Sequence, residues 1–198
     1  MRTILATLIT CLMPFMASAE SIGWGDVNLP VRAGQWHQLS ETSRSGYIIG
    51  ALQAAAYLNA DGEEQIGCVI DLADTLFAET SAPSFSDMVV TAVADRVLDT
   101  CGAGSFGTGT LLSSRQLAAA FTDDGGSTVW IGFLVGMTEF FHFQTYAKFG
   151  DETAECVQDG TLDLLTMEGD DFLTWSKTPD DPFVEDALLR ALSGCHTD

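Results

Sequence analysis

Residues 139–142 read Glu139-Phe-Phe-His142, with the E-x-x-H spacing that places a carboxylate and an imidazole on one helix face. Carboxylate-bridged di-metal sites use this spacing, but they need two such helices and further Glu residues. The aligned place in the first half of the chain reads Gln53-Ala-Ala-Ala56 and supplies neither ligand type. The expectation is therefore a partly buried, hydrogen-bonded Glu139–His142 pair, with metal-dependent enzyme chemistry on these two residues as the third-ranked function. Other catalytic patterns are missing: there is no G-x-S-x-G, no H-E-x-x-H and no P-loop. Gly102, Gly104 and Gly107 spell G-x-G-x-x-G. A dinucleotide loop needs a strand before those glycines, and here a helical pattern precedes them, so the segment reads as a linker. Asp123-Asp124, Asp170-Asp171 and Asp180-Asp181 are acidic doublets without EF-hand spacing, and read as loop ends and helix N-termini. No enzyme, no cofactor and no metal site are expected.

The charge balance narrows the choice of partners. Eight Lys+Arg stand against 28 Asp+Glu, a formal net charge of −20. Phosphate backbones and anionic lipid surfaces would repel such a chain, which excludes nucleic acid as a natural partner. A basic protein or a cation suits the field. Apolar residues make up 46 %, enough for a core, and the mean hydropathy of +0.19 excludes a polytopic membrane protein.

At the N-terminus Arg2, an apolar run over 4–16 and Ala17-Ser18-Ala19 have the three parts of a secretory signal. Cleavage after Ala19 is expected, giving a mature chain that begins at Glu20, sits in the periplasm or outside the cell, and has no membrane span. Of five Cys, Cys11 leaves with the signal. The remaining Cys68, Cys101, Cys156 and Cys195 have no C-x-x-C spacing for zinc and read as two disulfides. Spacing alone leaves three pairings open.

An internal repeat chooses among them. Gly46-Tyr47-Ile48-Ile49-Gly50 matches Gly132-Phe133-Leu134-Val135-Gly136 type for type. Cys68 follows the first motif and Cys156 the second, and each half closes on an amphipathic stretch with Arg five residues before a Cys, Arg96 before Cys101 and Arg190 before Cys195. Two matches in the same order argue for duplication. The pairing that treats both halves alike is Cys68–Cys101 and Cys156–Cys195. The organisation expected is a signal peptide over 1–19, an N-terminal segment over 20–32, a helical repeat over 33–101, a Gly-rich linker over 102–111 and a second repeat over 112–198.

The fold class expected is all-α, two tandem repeats of a small disulfide-linked helical unit. Apolar residues recur at helical spacing in both closing stretches, and helices are expected over 45–59, 64–77 and 128–149. The stretch 128–137 is the most strand-like of these. Ser84-x-x-Asp87 has capping-box spacing and places a helix start at Ser84; Pro182 and Gly194 mark the first turn and the end of the last helix. Glycine inside a helix costs about 1 kcal/mol against alanine, so the Gly46/Gly50 and Gly132/Gly136 pairs imply a second backbone packed close against each. In 128–149 the polar Glu139, His142 and Gln144 interrupt the apolar run too early for a membrane span.

The G-[YF]-[IL]-[IV]-G helix, a following Cys, an acidic amphipathic stretch, a Pro and a last helix ending in Cys resemble the Tai-type immunity proteins, small exported helical proteins associated with type VI secretion. Gln53 and Glu139 stand where that family carries Asp. The resemblance implies a helical fold and an inhibitor-like role, binding and neutralising a toxin or effector protein. The Hde-type acid-stress chaperones are a second, looser likeness, which implies an acid-responsive or scaffolding role without a toxin target. For a basic partner the expected contact residues are Asp170, Asp171, Asp180 and Asp181 around Trp175, because an aromatic amid charges can anchor an interface.

Overall fold

The structure is a computed structural model that describes residues 23–60, 62–101, 109–120, 126–166 and 180–195. The expected signal peptide, residues 102–108 of the Gly-rich linker, and the expected contact residues Asp170, Asp171 and Trp175 lie outside the described residues. Among the described residues the regular structure is helical. α1 is Ala33–Trp36, α2 Glu41–Asn59, α3 Glu63–Asp71, α4 Ala73–Thr80 and α5 Val89–Thr100. α6 is Ser114–Ala120, α7 Gly126–Phe149, α8 Asp151–Leu162 and α9 Phe183–Gly194, with a 3-10 turn at Asp163–Thr166. No helix among the described residues is long and apolar enough to cross a membrane.

α2 starts where Ser40 accepts the Ser43 backbone N–H at 3.1 Å, an N-cap that satisfies one of the free donors of the first turn. α2 and α7 have no single apolar face, as befits helices buried round most of their middle turns. Tyr47, Ile48 and Leu52 on α2 and Phe133, Leu134 and Phe141 on α7 are buried in one hydrophobic cluster drawn from both halves of the chain.

These two helices lie side by side and run in the same direction. Gly46 faces the backbone of Val129 and Gly50 that of Phe133; in return Gly132 faces Ser43 and Gly136 faces Tyr47. A Cβ on Gly50 would lie 2.7 Å from the Phe133 carbonyl carbon, so the helix spacing requires glycine there. Each glycine pair is thus covered by the helix that carries the other pair.

Two sequence expectations need correction. The stretch 64–77 is not one helix but α3 and α4, bent at Leu72. Leu72 keeps a helical φ of −72° and its N–H bonds Val69 at 3.3 Å, a tighter turn that leaves Val69, Leu72 and Leu76 all buried. Periodicity cannot register a bend whose residue stays helical. The helix expected from Ser84 starts instead at Val89, with no side-chain cap. The Val89 N–H donates to the Val31 carbonyl at 3.2 Å, and this long-range bond holds Met88 extended in place of the local cap. A matching bond, Phe183 N–H to the Leu112 carbonyl at 2.9 Å, opens α9 directly after Pro182. The strand-like 128–137 stretch is helical within α7, where burial overrides its β-branched and aromatic composition.

The disulfides join Cys68 to Cys101 and Cys156 to Cys195, with Cα–Cα separations of 5.7 and 5.8 Å. The first ties α3 to the end of α5, the second α8 to the end of α9.

Candidate functional site

Val31 is fully buried where the chain enters α1, so its backbone N–H needs an internal partner. Glu139 provides it: Oε1 accepts the Val31 N–H at 2.7 Å, across 108 residues of sequence. The Tyr47 hydroxyl donates to the other oxygen, Oε2. Tyr47 is itself clasped by two rings, Trp24 of the N-terminal segment stacked at 6.3 Å and Trp36 of α1 edge-on at 5.4 Å. One carboxyl therefore connects α7, α2 and the segment that leads into α1.

Only 4 % of Glu139 is exposed. Burial pushes its carboxyl up to about 7, with the bonds from Tyr47 and Val31 pulling partly the other way. Burial raises Tyr47 well above the usual phenol range, and the neighbouring Glu139 charge and hydrogen bond add to this. Tyr47 is therefore a hydroxyl donor at every physiological pH, while Glu139 changes charge near neutrality.

The aligned residue on α2 performs the same backbone task with different chemistry. Gln53 Oε1 accepts the Leu112 N–H at 2.7 Å, and its Nε2 donates to the Thr110 carbonyl at 3.0 Å. Leu112 leads into α6 as Val31 leads into α1.

Above Glu139 opens a cleft of about 350 Å³ with walls from Pro30, Met88, Phe143 and Tyr146. His142 and Asp151 complete its ionisable lining. His142 thus shares the cleft with Glu139, as their spacing on one helix requires. The hydrogen-bonded Glu139–His142 pair expected from the sequence is replaced by bonds from Glu139 to Tyr47 and Val31. No group of three or more His, Cys, Asp or Glu that could hold a metal ion occurs among the described residues.

The other expected site residues are dispersed. Gly46, Gly50, Gly132 and Gly136 form the α2–α7 contact, and the four Cys sit at the outer helices. Asp180 and Asp181 are exposed. The Arg115 guanidinium bonds Asp180 at 2.7 Å and, by that bond first and its charge second, holds the carboxyl below its usual range. A further acidic feature was not read from the sequence. Asp151, Glu155, Asp159 and Asp163 recur every fourth residue and are exposed along α8 into the 3-10 turn. The i, i+4 spacing of like charges was the signal available. At the head of this row Tyr146 and Phe149 are 55 % and 67 % exposed. No protein family, no curated protein and no solved structure matches this chain in comparisons with known proteins.

Proposed function

We propose that the chain is an exported, non-enzymatic helical protein that binds and blocks a basic partner protein, in the manner of an immunity-type inhibitor. The observation that carries this reading is the acidic row of α8 beginning beside two exposed aromatic rings, Tyr146 and Phe149. Like charges four residues apart on a helix destabilise it, so the row has a cost that a basic partner would offset. Exposed aromatics beside charge supply the apolar anchor such an interface needs. The net charge of −20 would speed encounter more than it strengthens the final complex. The N-terminal signal pattern and the two disulfides favour the periplasm or the outside of the cell as the place of action.

The test is a pull-down from periplasmic extract with mass spectrometry, followed by association kinetics with the purified partner. Association should slow markedly from low to physiological salt, and replacing Asp151, Glu155 and Asp159 by Asn or Gln should slow it at low salt with the fold intact. An association rate indifferent to both changes contradicts the reading.

A second reading, an acid-responsive periplasmic protein without a toxin target, is favoured by one observation: the buried Glu139 carboxyl, whose ionisation near neutrality bears on the segment that enters α1. Its test is a comparison of partner binding and of aggregation suppression at pH 5 and pH 7.5. Activity confined to the acid side would favour it over the inhibitor reading.

A further inference from the structure

The cleft above Glu139 has a composition that selects among small ligands. Its walls are largely apolar and aromatic, from Leu29, Pro30, Met88, Val90 and Phe143, with Gln158 as the one neutral polar side chain. Its ionisable groups are Glu139, His142 and Tyr146 from α7 and Asp151 from the start of α8; the lining contributed by α5 and by the N-terminal segment carries none. Beneath, Tyr47 of α2 is the ionisable side chain bonded to Glu139. Glu139 accepts one bond on each oxygen, and an ionised carboxylate has about four acceptor positions, so two are left. The cleft volume of about 350 Å³ lies at the small end of ligand sites. A ligand that satisfies the whole surface has an alkyl body for the walls and a positive head for the carboxylates.

We infer that this cleft binds a primary alkylammonium group, with the alkyl chain against Pro30, Met88 and Phe143 and the ammonium directed to Glu139 and Asp151. Aromatic rings add attraction for a cation, and Tyr146 stands at the mouth to provide it. The cleft shares Asp151 and Tyr146 with the head of the α8 row, but its binding of a small amine requires no protein partner. A free amine and a lysine side chain present the same chemistry.

Binding is coupled to the ionisation of Glu139. A cation favours the carboxylate, so an ammonium that enters below neutrality drives the Glu139 proton into solvent. With the carboxyl titrating at about 7, the ionised fraction rises about tenfold from pH 6 to pH 8, and the affinity should rise with it.

The experiment is an NMR titration of the oxidised protein with butylammonium chloride at pH 6 and pH 8, with sodium chloride balancing ionic strength. The Val31 and Tyr146 amide signals report the cleft. Saturable shifts are expected, with an affinity about tenfold higher at pH 8. A parallel titration with the capped peptide acetyl-Gly-Lys-Gly-amide, whose one ammonium is the lysine side chain, distinguishes the sources: binding of both probes admits a lysine side chain, and binding of butylammonium alone restricts the site to free amines. Glu139→Gln should weaken binding and abolish the pH ratio. Gln53 shows that an amide at the aligned position holds a part-buried backbone N–H, so this variant has a precedent within the fold. In His142→Gln the pH ratio should persist, whatever happens to the affinity. Absence of saturable shifts with both probes overturns the inference. So does an equal affinity at pH 6 and pH 8, or a pH ratio that survives in Glu139→Gln or disappears in His142→Gln.

Discussion

Gln53 on α2 and Glu139 on α7 stand at aligned positions, and each accepts the backbone N–H of the segment that leads into a short helix, Leu112 for one and Val31 for the other, both at 2.7 Å. Their second contacts differ. Gln53 returns a donor to the Thr110 carbonyl, so its clasp is neutral and complete. Glu139 has no donor of its own when ionised and relies on the Tyr47 hydroxyl, whereas Phe133, aligned with Tyr47, has no hydroxyl. The same task is thus performed once by a group that cannot titrate and once by a buried group that does so near neutrality. Geometry can be preserved between two sites while the response to pH is placed in only one of them.

The Glu139 clasp reaches from α7 to Tyr47 on α2, so the largest effects come from opening the close α2–α7 contact. Gly50→Ala and Gly136→Ala each push a methyl into the backbone of the other helix. Overpacking of this kind costs about 1–3 kcal/mol per site, so the double variant should lose a large share of a domain stability of about 5–15 kcal/mol. Thermal unfolding by circular dichroism checks this. A double variant that melts like the parent would show that the two helices separate without cost.

The next effect separates the clasps. A carboxyl raised in the folded state is stabilising in full below its unfolded value and loses that contribution as pH rises through the folded one. From the ordinary 4.5 to about 7, Glu139 should withdraw about 3 kcal/mol. The stability difference between the parent and Glu139→Gln should therefore grow in favour of the variant from pH 4.5 to pH 7.5. Urea unfolding across that range measures it. A constant difference would make the two clasps alike.

Gln53→Ala is the smaller counterpart. It leaves the Leu112 N–H without its acceptor, at a cost of about 1–3 kcal/mol. The loss should be the same at pH 5 and pH 8 by urea unfolding. A pH-dependent loss would contradict the neutral character of this clasp.

The sequence carried the parts of this picture that repeat or recur locally. Helical periodicity marked α5 and α9, long apolar runs marked α2 and α7, and the two glycine pairs announced a close contact, because a helix keeps such residues only against another backbone. The matched closing stretches pointed to Cys68–Cys101 and Cys156–Cys195. What stayed hidden depends on residues far apart in sequence. The partners of Glu139 lie 92 and 108 residues away, and its local spacing pointed to His142 instead. The start of α5 was misplaced for the same reason: a bond from Val89 to Val31 overrode the local capping pattern at Ser84. The acidic row of α8 was present in the spacing of Asp151, Glu155 and Asp159, but the doublets around Trp175 drew the reading elsewhere.

The most direct measurement is a carbon-13 NMR titration of the Glu139 side-chain carboxyl, assigned by comparison with Glu139→Gln. A midpoint near 7 is expected, with the Val31 and Tyr47 signals moving at the same pH. A midpoint near the ordinary 4.5, or Val31 and Tyr47 signals that do not follow it, would show that this carboxyl is no different in kind from those on the surface.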